Sequence, residues 1–362
     1  MTAITIKDIA KAAGVSTATV SYVINGTKAV SKKKQSRVLE VINSTGYTPS
    51  SAAKSLRTKK PGTIGVLVED IMAYPTSPVI NGICDYIDKT NYHILFSNLR
   101  MMDSIYNRYD QIIHQKDKIN NDLLFLVKGA SVGAIIYVGM FDRDISGIID
   151  DIGIPVIVAY STTSDCHTGF VTYENEEIQE ALASHIINAG HRQIAVLGGH
   201  PDTAPAKLRL KGIKKAFDKA KLPLDPRLVK NGTWSHVSGY ACMKELLDNK
   251  EKHPFTAVIS MNDHMVVGAY SAIREAGLSV PGDVSFTGFD NRDLAEFVYP
   301  PLTTAEIDLK AIGFAAAREA VKKLAEPGKN IARYKEIIPC KMILRDSVAT
   351  KEVARTHSNN NS

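Results

Sequence analysis

From residue 63 onwards, short apolar runs alternate with helical patterns, and this alternation limits the possible folds more than any other feature. Apolar strands separated by helices are typical of parallel sheets with helical crossovers. Strands are predicted at residues 64–68, 93–97, 134–138 and 156–159, and then at 194–198, 228–230, 257–260 and 284–288. Helices are predicted between them at 79–88, 178–189, 208–220, 238–247 and 264–276. Two successive sets of about four strands therefore predict an α/β body of two doubly wound parallel-sheet lobes.

The end of the body is predicted as a strand at 302–307, a helix at 309–324 and a strand at 334–344, which can return to either lobe. In doubly wound sheets the carboxyl ends of the strands border the ligand site, and clefts between lobes are common binding sites. We therefore expect a small molecule to bind in a cleft between the two lobes.

The start of the chain has a different pattern. Apolar residues at positions 6, 9, 10 and 13 predict a short helix, which Gly14 ends in a left-handed turn. Ser16 is suited to cap a second helix, and a third is predicted at 32–45. The outer face of the second helix is predicted to carry Thr17, Ala18, Ser21 and Tyr22. This arrangement indicates an all-α, three-helix head with a helix-turn-helix, a DNA-reading motif.

The charge of the chain is concentrated in this head. Residues 1–60 contain eleven lysines and arginines against Asp8 and Glu40, a net charge of +9, whereas the whole 362-residue chain carries +6. A basic head on a weakly acidic body is typical of a module that binds a polyanion. Four widely separated cysteines (Cys84, Cys166, Cys242 and Cys340) predict buried free thiols, with neither a disulfide framework nor a metal site.

Six sets of motifs follow in order along residues 3–347 and together resemble the LacI/GalR family of bacterial transcription regulators. They are Ile6-Lys7-Asp8-Ile9-Ala10 with Gly14-Val15-Ser16 and Thr19-Val20-Ser21; Tyr47-Thr48-Pro49 with Ala53-Lys54-Ser55-Leu56; Gly190-His191-Arg192-Gln193-Ile194-Ala195; Val280-Pro281-Gly282-Asp283-Val284-Ser285; Gly288-Phe289-Asp290-Asn291; and Pro300-Pro301-Leu302-Thr303-Thr304. The resemblance implies a homodimeric repressor of sugar-utilisation genes. Such a repressor binds a pseudo-palindromic operator in double-stranded DNA, and a small-molecule effector changes its affinity.

The resemblance also implies a domain order. A helix-turn-helix domain occupies residues 1–47, and a hinge helix or linker occupies 48–61. The body has the fold of periplasmic binding proteins, with three chain crossings between its lobes. Its N-terminal lobe comprises 62–161 plus 292–323, and its C-terminal lobe comprises 162–291 plus 324–347. A polar tail, 348–362, is predicted to be disordered.

For DNA, the matching motif positions imply two kinds of contact. The predicted major-groove residues are Thr17, Ala18 and Tyr22, and the predicted phosphate contacts are Ser16, Thr19, Ser21 and Asn25. Ala53 and Leu56 belong to the hinge, where Leu56 corresponds to a wedge in the minor groove. Tyr22 departs from the family pattern, in which arginine is common and reads guanine through two hydrogen bonds. We therefore expect a different operator preference at that base pair.

For the effector, four residues match cleft positions in the C-terminal lobe: Arg209, Trp234, Asn262 and Asp290. The opposite wall is predicted from residues at strand ends, namely Asp70, Tyr74, Tyr137 and Tyr160. Arginine and carboxylate groups bind hydroxyls or carboxylates, and a flat indole stacks on a sugar ring or a base. Three tyrosines and a tryptophan favour a sugar or a glycoside, and a purine is the alternative.

Two other classes of protein share parts of this pattern. A solute-binding receptor shares the predicted body, but the chain has no secretory signal pattern and carries a basic head. An α/β enzyme is suggested only by Gly129-Ala130-Ser131-Val132-Gly133, where the strand follows the serine instead of preceding it. We therefore expect a cytoplasmic regulator that is not an enzyme, has no cofactor or metal and does not bind membranes. The tail lacks apolar heptads, so a dimer is expected instead of a tetramer.

Overall fold

The computed structural model describes residues 4–25, 28–47, 62–105, 109–326 and 334–351. Residue contacts divide the chain into two compact units, Met1–Gly62 and Thr63–Ser362. The first is the head and the second is the body. None of the described helices is long and apolar enough to cross a membrane.

The head contains three helices, α1 (Ile6–Ala13), α2 (Thr17–Asn25) and α3 (Lys32–Thr45). They enclose a small core of Ile9, Ala10, Ala13, Val20 and Val38. The predicted turn is confirmed, because Gly14 ends α1 with φ of +63°. The predicted cap is confirmed as well, because the backbone N–H of Thr19 donates to Ser16 Oγ over 3.1 Å.

The body contains two main parallel sheets. The six-stranded sheet has the order β11-β5-β4-β3-β1-β2, and the four-stranded sheet has the order β7-β6-β8-β9, in labels that follow the chain. The strands are β1 (Thr63–Val68), β2 (His93–Asn98), β3 (Ala134–Val138), β4 (Val156–Ala159), β5 (Thr168–Tyr173), β6 (Ile194–Gly198), β7 (Val229–Asn231), β8 (Ala257–Ser260), β9 (Ser285–Thr287), β10 (Thr304–Glu306), β11 (Lys335–Ile338) and β12 (Lys341–Ile343). All eight strands predicted for the two lobes are present, with ends within one residue of the prediction.

The helices of the body cover both faces of each sheet. They are α4 (Thr76–Ile87), α5 (Met102–Ile105), α6 (Lys116–Leu124), α7 (Glu176–Asn188), α8 (Ala204–Lys219), α9 (His236–Asp248), α10 (Asp263–Glu275), α11 (Leu294–Phe297) and α12 (Leu309–Ala325). Helices α4 and α12 cross closely at two glycines. A Cβ on Gly82 would lie 1.9 Å from the carbonyl oxygen of Lys310, and one on Gly313 would lie 1.9 Å from that of Val79.

The chain passes three times between the two sheets, as the family resemblance implied. It leaves the six-stranded sheet after β5, returns to it between β10 and α12, and leaves again between β11 and β12. Strand β12 pairs antiparallel with β10. Two parallel bridges, Thr287 to Thr303 and Asp290 to Glu306, place β10 beside β9.

Sheet membership corrects the predicted lobe boundaries. The C-terminal lobe was predicted at 162–291 plus 324–347, but β5 and β11 pair in the six-stranded sheet of the N-terminal lobe. The first crossing therefore follows Tyr173 instead of residue 161. Strand β5 was missed because Thr168, Gly169 and Thr172 interrupt its apolar pattern. The single strand predicted at 334–344 is two strands, divided at Pro339 and Cys340.

Part of the tail that was predicted to be disordered, 348–362, is ordered. Val348 packs against the core of the four-stranded sheet. The backbone N–H of Ala349 donates to Ser285 Oγ over 3.0 Å, and the N–H of Lys351 donates to the carbonyl oxygen of Ala189 over 2.7 Å. Residues 348–351 are thus part of the body, and 352–362 lie outside the described residues. All four cysteines are free thiols, but of the four predicted to be buried only Cys242 is; Cys84 and Cys340 are half-buried, and Cys166 is exposed.

Candidate effector site and DNA-reading helix

A cavity of about 290 Å³ lies between the two lobes of the body. The six-stranded-sheet lobe contributes Met72, Ala73, Tyr74, Pro75, Met102, Met140, Phe141, Asp142, Tyr160 and Tyr173. The four-stranded-sheet lobe contributes Thr203, Pro205, Arg209, Thr233, Trp234, Ser235, Asn262, His264, Asp290 and Arg292. The cavity therefore lies where the sequence predicted the effector cleft.

Six of the eight predicted effector residues line this cavity. They are Tyr74, Tyr160, Arg209, Trp234, Asn262 and Asp290. Tyr74 also joins the two lobes, because its hydroxyl donates to the backbone oxygen of Asp290 over 3.0 Å.

The other two predicted residues, Asp70 and Tyr137, do not line the cavity. The carboxylate of Asp70 accepts hydrogen bonds from the backbone N–H groups of Met72 and Met102 at 2.9 and 2.8 Å, so it fastens two loops. Tyr137 is fully buried and donates to Glu69 Oε1 over 2.6 Å. Strand residues alternate between the two faces of a sheet, and Tyr137 points into the core on one face instead of past the strand end.

The partner of Tyr137 is a buried ion pair that the sequence did not reveal. Glu69 also accepts from the backbone N–H of Met140 over 2.9 Å and from Arg143 Nη2 over 2.5 Å. Both charged side chains are almost completely buried. Because Met140 and the two residues after it line or border the cavity, this pair fixes the loop that forms one cavity wall.

Arg209, on α8, is the central charged residue of the cavity. Its Nε donates to Asn175 Oδ1 over 2.8 Å, its Nη2 donates to the hydroxyl of Tyr173 over 3.0 Å, and its Nη1 donates to the carbonyl oxygen of Met261. The same Nη1 lies 3.7 Å from Asp290 Oδ1. These contacts hold a buried guanidinium in one position beside the carboxylate of Asp290.

Aromatic rings pack against the guanidinium of Arg209. The Cζ of Arg209 lies 3.5 Å from the ring centroid of Phe289. The ring of Tyr173 packs between Phe289 and Tyr160, with centroid distances of 6.4 and 5.4 Å, and the two tyrosines stack at 23°. A guanidinium over an aromatic face is attracted by the negative face of the ring. Tyr160 and Tyr173 therefore form an aromatic part of the cavity lining beside Arg209.

Trp234 forms a flat wall of the cavity. Its indole packs so closely on Gly199 that a Cβ there would lie 2.0 Å from Trp234 Cζ2. Asn262 fastens this loop, because its Nδ2 donates to the carbonyl oxygen of Trp234 over 2.9 Å. Asn262 Oδ1 meanwhile caps α10 by accepting from the N–H of Met265 over 3.0 Å. Asn262 therefore positions the indole as well as lining the cavity.

Three cavity residues have a backbone conformation that non-glycine residues rarely adopt. The φ angles are +71° at Tyr160, +65° at Trp234 and +108° at Asp290. Each such residue costs on the order of 1–3 kcal/mol, and residues of this kind cluster at ligand sites. The same three residues were predicted from sequence to bind the effector.

Burial perturbs the carboxyl groups around the cavity. It raises the pKa of Asp290 to about 6, and the nearby Arg209 and Arg292 counteract part of the shift. Burial together with the charge of Asp290 raises the pKa of Asp263 to about 8. Burial also raises the pKa of Asp142, which accepts from Asn175 Nδ2 over 2.8 Å. Aspartates with raised pKa values at a cavity are typical of a functional site.

Sequence reasoning missed several lining residues, including Tyr173, Asp142, His264 and Arg292. Arg292 directly follows the recognised motif that contains Asp290, and His264 lies two residues after Asn262, so proximity to predicted residues was an available signal. Tyr173 ends the strand that was missed. Among the described residues, no group of three or more His, Cys, Asp or Glu side chains is placed to hold a metal ion.

The second helix of the head carries the predicted DNA-reading residues. Ser16, Thr17 and Ala18 are exposed, and Thr19 and Tyr22 are half-buried. The amino group of Lys28 lies 5.3 Å from the ring centroid of Tyr22. Ser21 is only 6% exposed, so its predicted place on the outer face is wrong. The side chain of Asn25 and the hinge residues Ala53 and Leu56 lie outside the described residues.

Comparisons with known proteins agree with this architecture. Residues 5–50 match the family model of bacterial regulatory proteins, lacI family, and residues 183–348 match that of a periplasmic binding protein-like domain. The HTH-type transcriptional repressor PurR of Haemophilus influenzae is 31% identical over 345 residues, which cover 95% of this chain and 98% of that protein. The chain belongs to the LacI family. PurR of Histophilus somni is also 31% identical, over 96% of this LacI-family chain and 99% of its own length.

Solved structures show the same fold for this LacI-family repressor. The lac repressor dimer bound to operator and the anti-inducer ONPF has a TM-score of 0.77 at 24% identity, over 96% of this chain and 99% of that chain. A LacI family regulator from Enterococcus faecium with bound ribose has a TM-score of 0.61 at 25% identity, over 80% and 100% of the two chains. The protein is thus a DNA-binding transcriptional repressor of the LacI family, a family of regulators and not of enzymes.

Proposed function

We propose that this repressor binds a sugar or sugar derivative in the cavity between its lobes, and that the sugar controls its affinity for an operator near sugar-utilisation genes. The observation that carries the proposal is the Trp234 wall beside the Arg209–Asp290 pair. An indole face packs on the apolar face of a sugar ring. Carboxylate, guanidinium and amide groups around it suit hydroxyls that both donate and accept hydrogen bonds.

Two further points support a polyhydroxylated ligand. Asp142 and Asp290 place acceptors on opposite lobes of one cavity, so a ligand with several hydroxyls can join both lobes. The Enterococcus faecium regulator, which is 25% identical, contains bound ribose. A purine is the second candidate, because the PurR repressors are 30–31% identical over nearly the whole chain.

For DNA, we propose that a homodimer binds a pseudo-palindromic operator through two copies of α2. Thr17, Ala18 and Tyr22 read bases, while Ser16 and Thr19 contact phosphates. Tyr22 cannot make the bidentate contact that arginine makes to guanine. Leu56 is proposed as the minor-groove wedge at the operator centre. Replacement of Leu56 by alanine should weaken operator binding and leave effector binding intact, whereas unchanged operator affinity would refute the wedge.

The effector class can be tested through Trp234, the only tryptophan of the chain. Its fluorescence and the melting temperature of the full-length protein should respond to at least one member of a panel of monosaccharides, disaccharides and glycosides. The same sugar should change operator affinity in a DNA titration, and Trp234→Ala should abolish the response in melting temperature. A response confined to purine bases or nucleosides would replace the sugar proposal with the purine candidate.

A further inference from the structure

Arg292 lines the cavity together with Tyr74 and His264, and we call this part of the cavity the rim. Arg292 differs from Arg209 in how its charge is held. Arg209 is surrounded by hydrogen-bond acceptors and a carboxylate. Within the described part of the chain, the guanidinium of Arg292 has neither a hydrogen-bond acceptor nor a carboxylate oxygen within 4.0 Å. The half-buried guanidinium of Arg292 lines the cavity, and its N–H groups are therefore available to a ligand.

The position of this cation is nevertheless well defined. The Cζ of Arg292 lies 4.5 Å from the ring centroid of Tyr74, whose own hydroxyl is fixed on Asp290. The backbone N–H of Arg292 donates to Asp263 Oδ2 over 3.0 Å. A guanidinium that stacks on an aromatic ring keeps its edge N–H groups free for an oxyanion. Stacking and a backbone bond thus orient Arg292 without occupying its donors.

The surroundings of Arg292 favour an anion. His264, also on the cavity wall, is close enough that the charge of Arg292 contributes to lowering its pKa, after the larger effect of burial. The neutral imidazole still has one N–H to donate. Across the cavity the facing lobe presents Met72, Ala73, Pro75 and Met102 around Tyr74. The carboxylates of Asp70 and Asp142 in this lobe already have donors, because Asp70 accepts from the backbone N–H groups of Met72 and Met102 and Asp142 accepts from Asn175.

The acidic residues of the cavity are paired with other donors. Asp290 lies 3.7 Å from Arg209 Nη1, and Asp142 accepts from Asn175. The charge of Arg292 does act on Asp290, because it contributes to lowering the pKa of that carboxyl, but no ion pair within 4.0 Å joins the two side chains. Of the two arginines that line the cavity, Arg209 is therefore held by close partners, and Arg292 has no hydrogen-bond or ion-pair partner for its guanidinium among the described residues. A neutral sugar would offer Arg292 no counter-charge.

We propose that the effector is an anionic sugar, and that Arg292, with His264, binds its phosphate or carboxylate group at the rim. This inference rests on the proposed sugar-binding function and specifies its ligand class. An arginine edge can bind such a group through two parallel charge-assisted hydrogen bonds. Loss of these bonds at a half-buried site is expected to weaken binding on the order of tenfold to a hundredfold.

The test compares neutral and anionic members of the same sugar series on the full-length protein. The probes are hexoses with their 6-phosphates, disaccharides with their phosphates, uronic acids and inorganic phosphate, each titrated by Trp234 fluorescence and by calorimetry. At least one anionic sugar should bind about tenfold tighter than its neutral parent. Arg292→Met, which keeps an apolar side chain over Tyr74, should reduce the ratio of anionic to neutral affinity to about one. Arg274→Met, at an exposed position of α10, is the matched control and should change neither.

The possible outcomes separate this inference from the function on which it rests. If neutral sugars bind as tightly as their anionic forms, or if Arg292→Met keeps the wild-type ratio of anionic to neutral affinity, the anionic subsite is refuted and sugar binding stands. Binding of inorganic phosphate without any sugar discrimination would also refute it. If no sugar of either series binds and a purine or nucleotide does, the proposed sugar function fails as well. Comparison of the sugar phosphates with the uronic acids determines whether Arg292 prefers a phosphate or a carboxylate.

Discussion

The two walls of the cavity differ in how well their sequence predicts them. All four residues predicted on the wall of the C-terminal lobe line the cavity, namely Arg209, Trp234, Asn262 and Asp290. On the wall of the N-terminal lobe, Tyr74 and Tyr160 line it, whereas Asp70 and Tyr137 do not. The first wall consists largely of helix N-termini and the loops before them, at Thr203, Ser235 and Asn262. The second consists of strand ends and a loop that a buried ion pair holds in place.

This difference has two origins. The four residues of the C-terminal wall were predicted from their match to cleft positions of the family, and one of them, Asn262, is also held by a local helix cap. A polar residue at a strand end can turn to the ligand, to the core or to neighbouring backbone, and distant partners decide which. Tyr137 turns inwards because Glu69 accepts a hydrogen bond from its hydroxyl. Asp70 turns to the backbone N–H groups of Met72 and Met102, and Met102 is 32 residues away. The variants below separate ligand-binding residues from structural ones on each wall.

The largest effect is expected for Arg209→Met on the C-terminal wall. This substitution removes the cation from beside Asp290 and leaves Asn175 and the carbonyl oxygen of Met261 without their donor. Breaking a buried ion pair on one side typically costs about 3–5 kcal/mol. The free energy of unfolding in urea should fall by that order, and effector binding should be lost.

Arg345→Met provides a comparison, because that arginine bonds Leu302 and Asn291 outside the cavity. Arg345→Met should lower the free energy of unfolding by less than Arg209→Met does, and it should retain the response of Trp234 fluorescence to the effector. If Arg209→Met bound the effector normally at temperatures where it is folded, the central role of Arg209 would be wrong.

The sequence predicted most of the fold because its signals are local. Strand β3 and strand β4 were located to the residue, since continuous apolar runs bounded by turns have few other interpretations. The crossing after Tyr173 was placed too early, because β5 mixes threonine and glycine with apolar residues. Membership of a sheet depends on pairing across more than 100 residues, as between β5 and β11, and no local pattern encodes that.

The cavity shows the same limit. Asp290 lies within a recognisable motif and Trp234 matches a cleft position of the family, whereas Glu69 and Arg143 meet only after folding brings them together from 74 residues apart. The rings of Tyr160, Tyr173 and Phe289 likewise pack together from both lobes. Contacts of this kind require the tertiary structure, because each residue alone resembles ordinary core.

An intermediate effect is expected from the buried carboxyl Asp263, which lies behind the C-terminal wall. Its pKa is raised to about 8 in the folded protein by burial and by the charge of Asp290, against a usual value of 3.8. A carboxyl with a raised folded pKa stabilises the fold fully below the unfolded pKa, and this contribution is lost as the pH rises towards the folded value. One pKa unit corresponds to about 1.4 kcal/mol.

The measurement compares wild type with Asp263→Asn in urea unfolding from pH 4 to pH 8. The free energy of unfolding of wild type minus that of the variant should fall by at least about 1.4 kcal/mol over this range. Burial lowers the pKa of His185 and His191, which acts in the opposite direction, but both proteins contain these residues and the effect cancels. A difference that stays constant or rises with pH would contradict the raised pKa.

The smallest effect is expected from Tyr137→Phe, on the N-terminal wall. The variant removes the hydroxyl that donates to Glu69 but keeps the ring in the core, and Glu69 retains Met140 N–H and Arg143 as donors. Loss of one buried hydrogen bond should lower the free energy of unfolding by about 1–2 kcal/mol and leave effector affinity unchanged. Tyr74→Phe is the matched variant, because its hydroxyl joins the lobes at the cavity through the backbone oxygen of Asp290. Tyr74→Phe should alter effector affinity more than it alters the free energy of unfolding. If Tyr137→Phe changed effector affinity more than Tyr74→Phe did, Tyr137 would belong to the effector site.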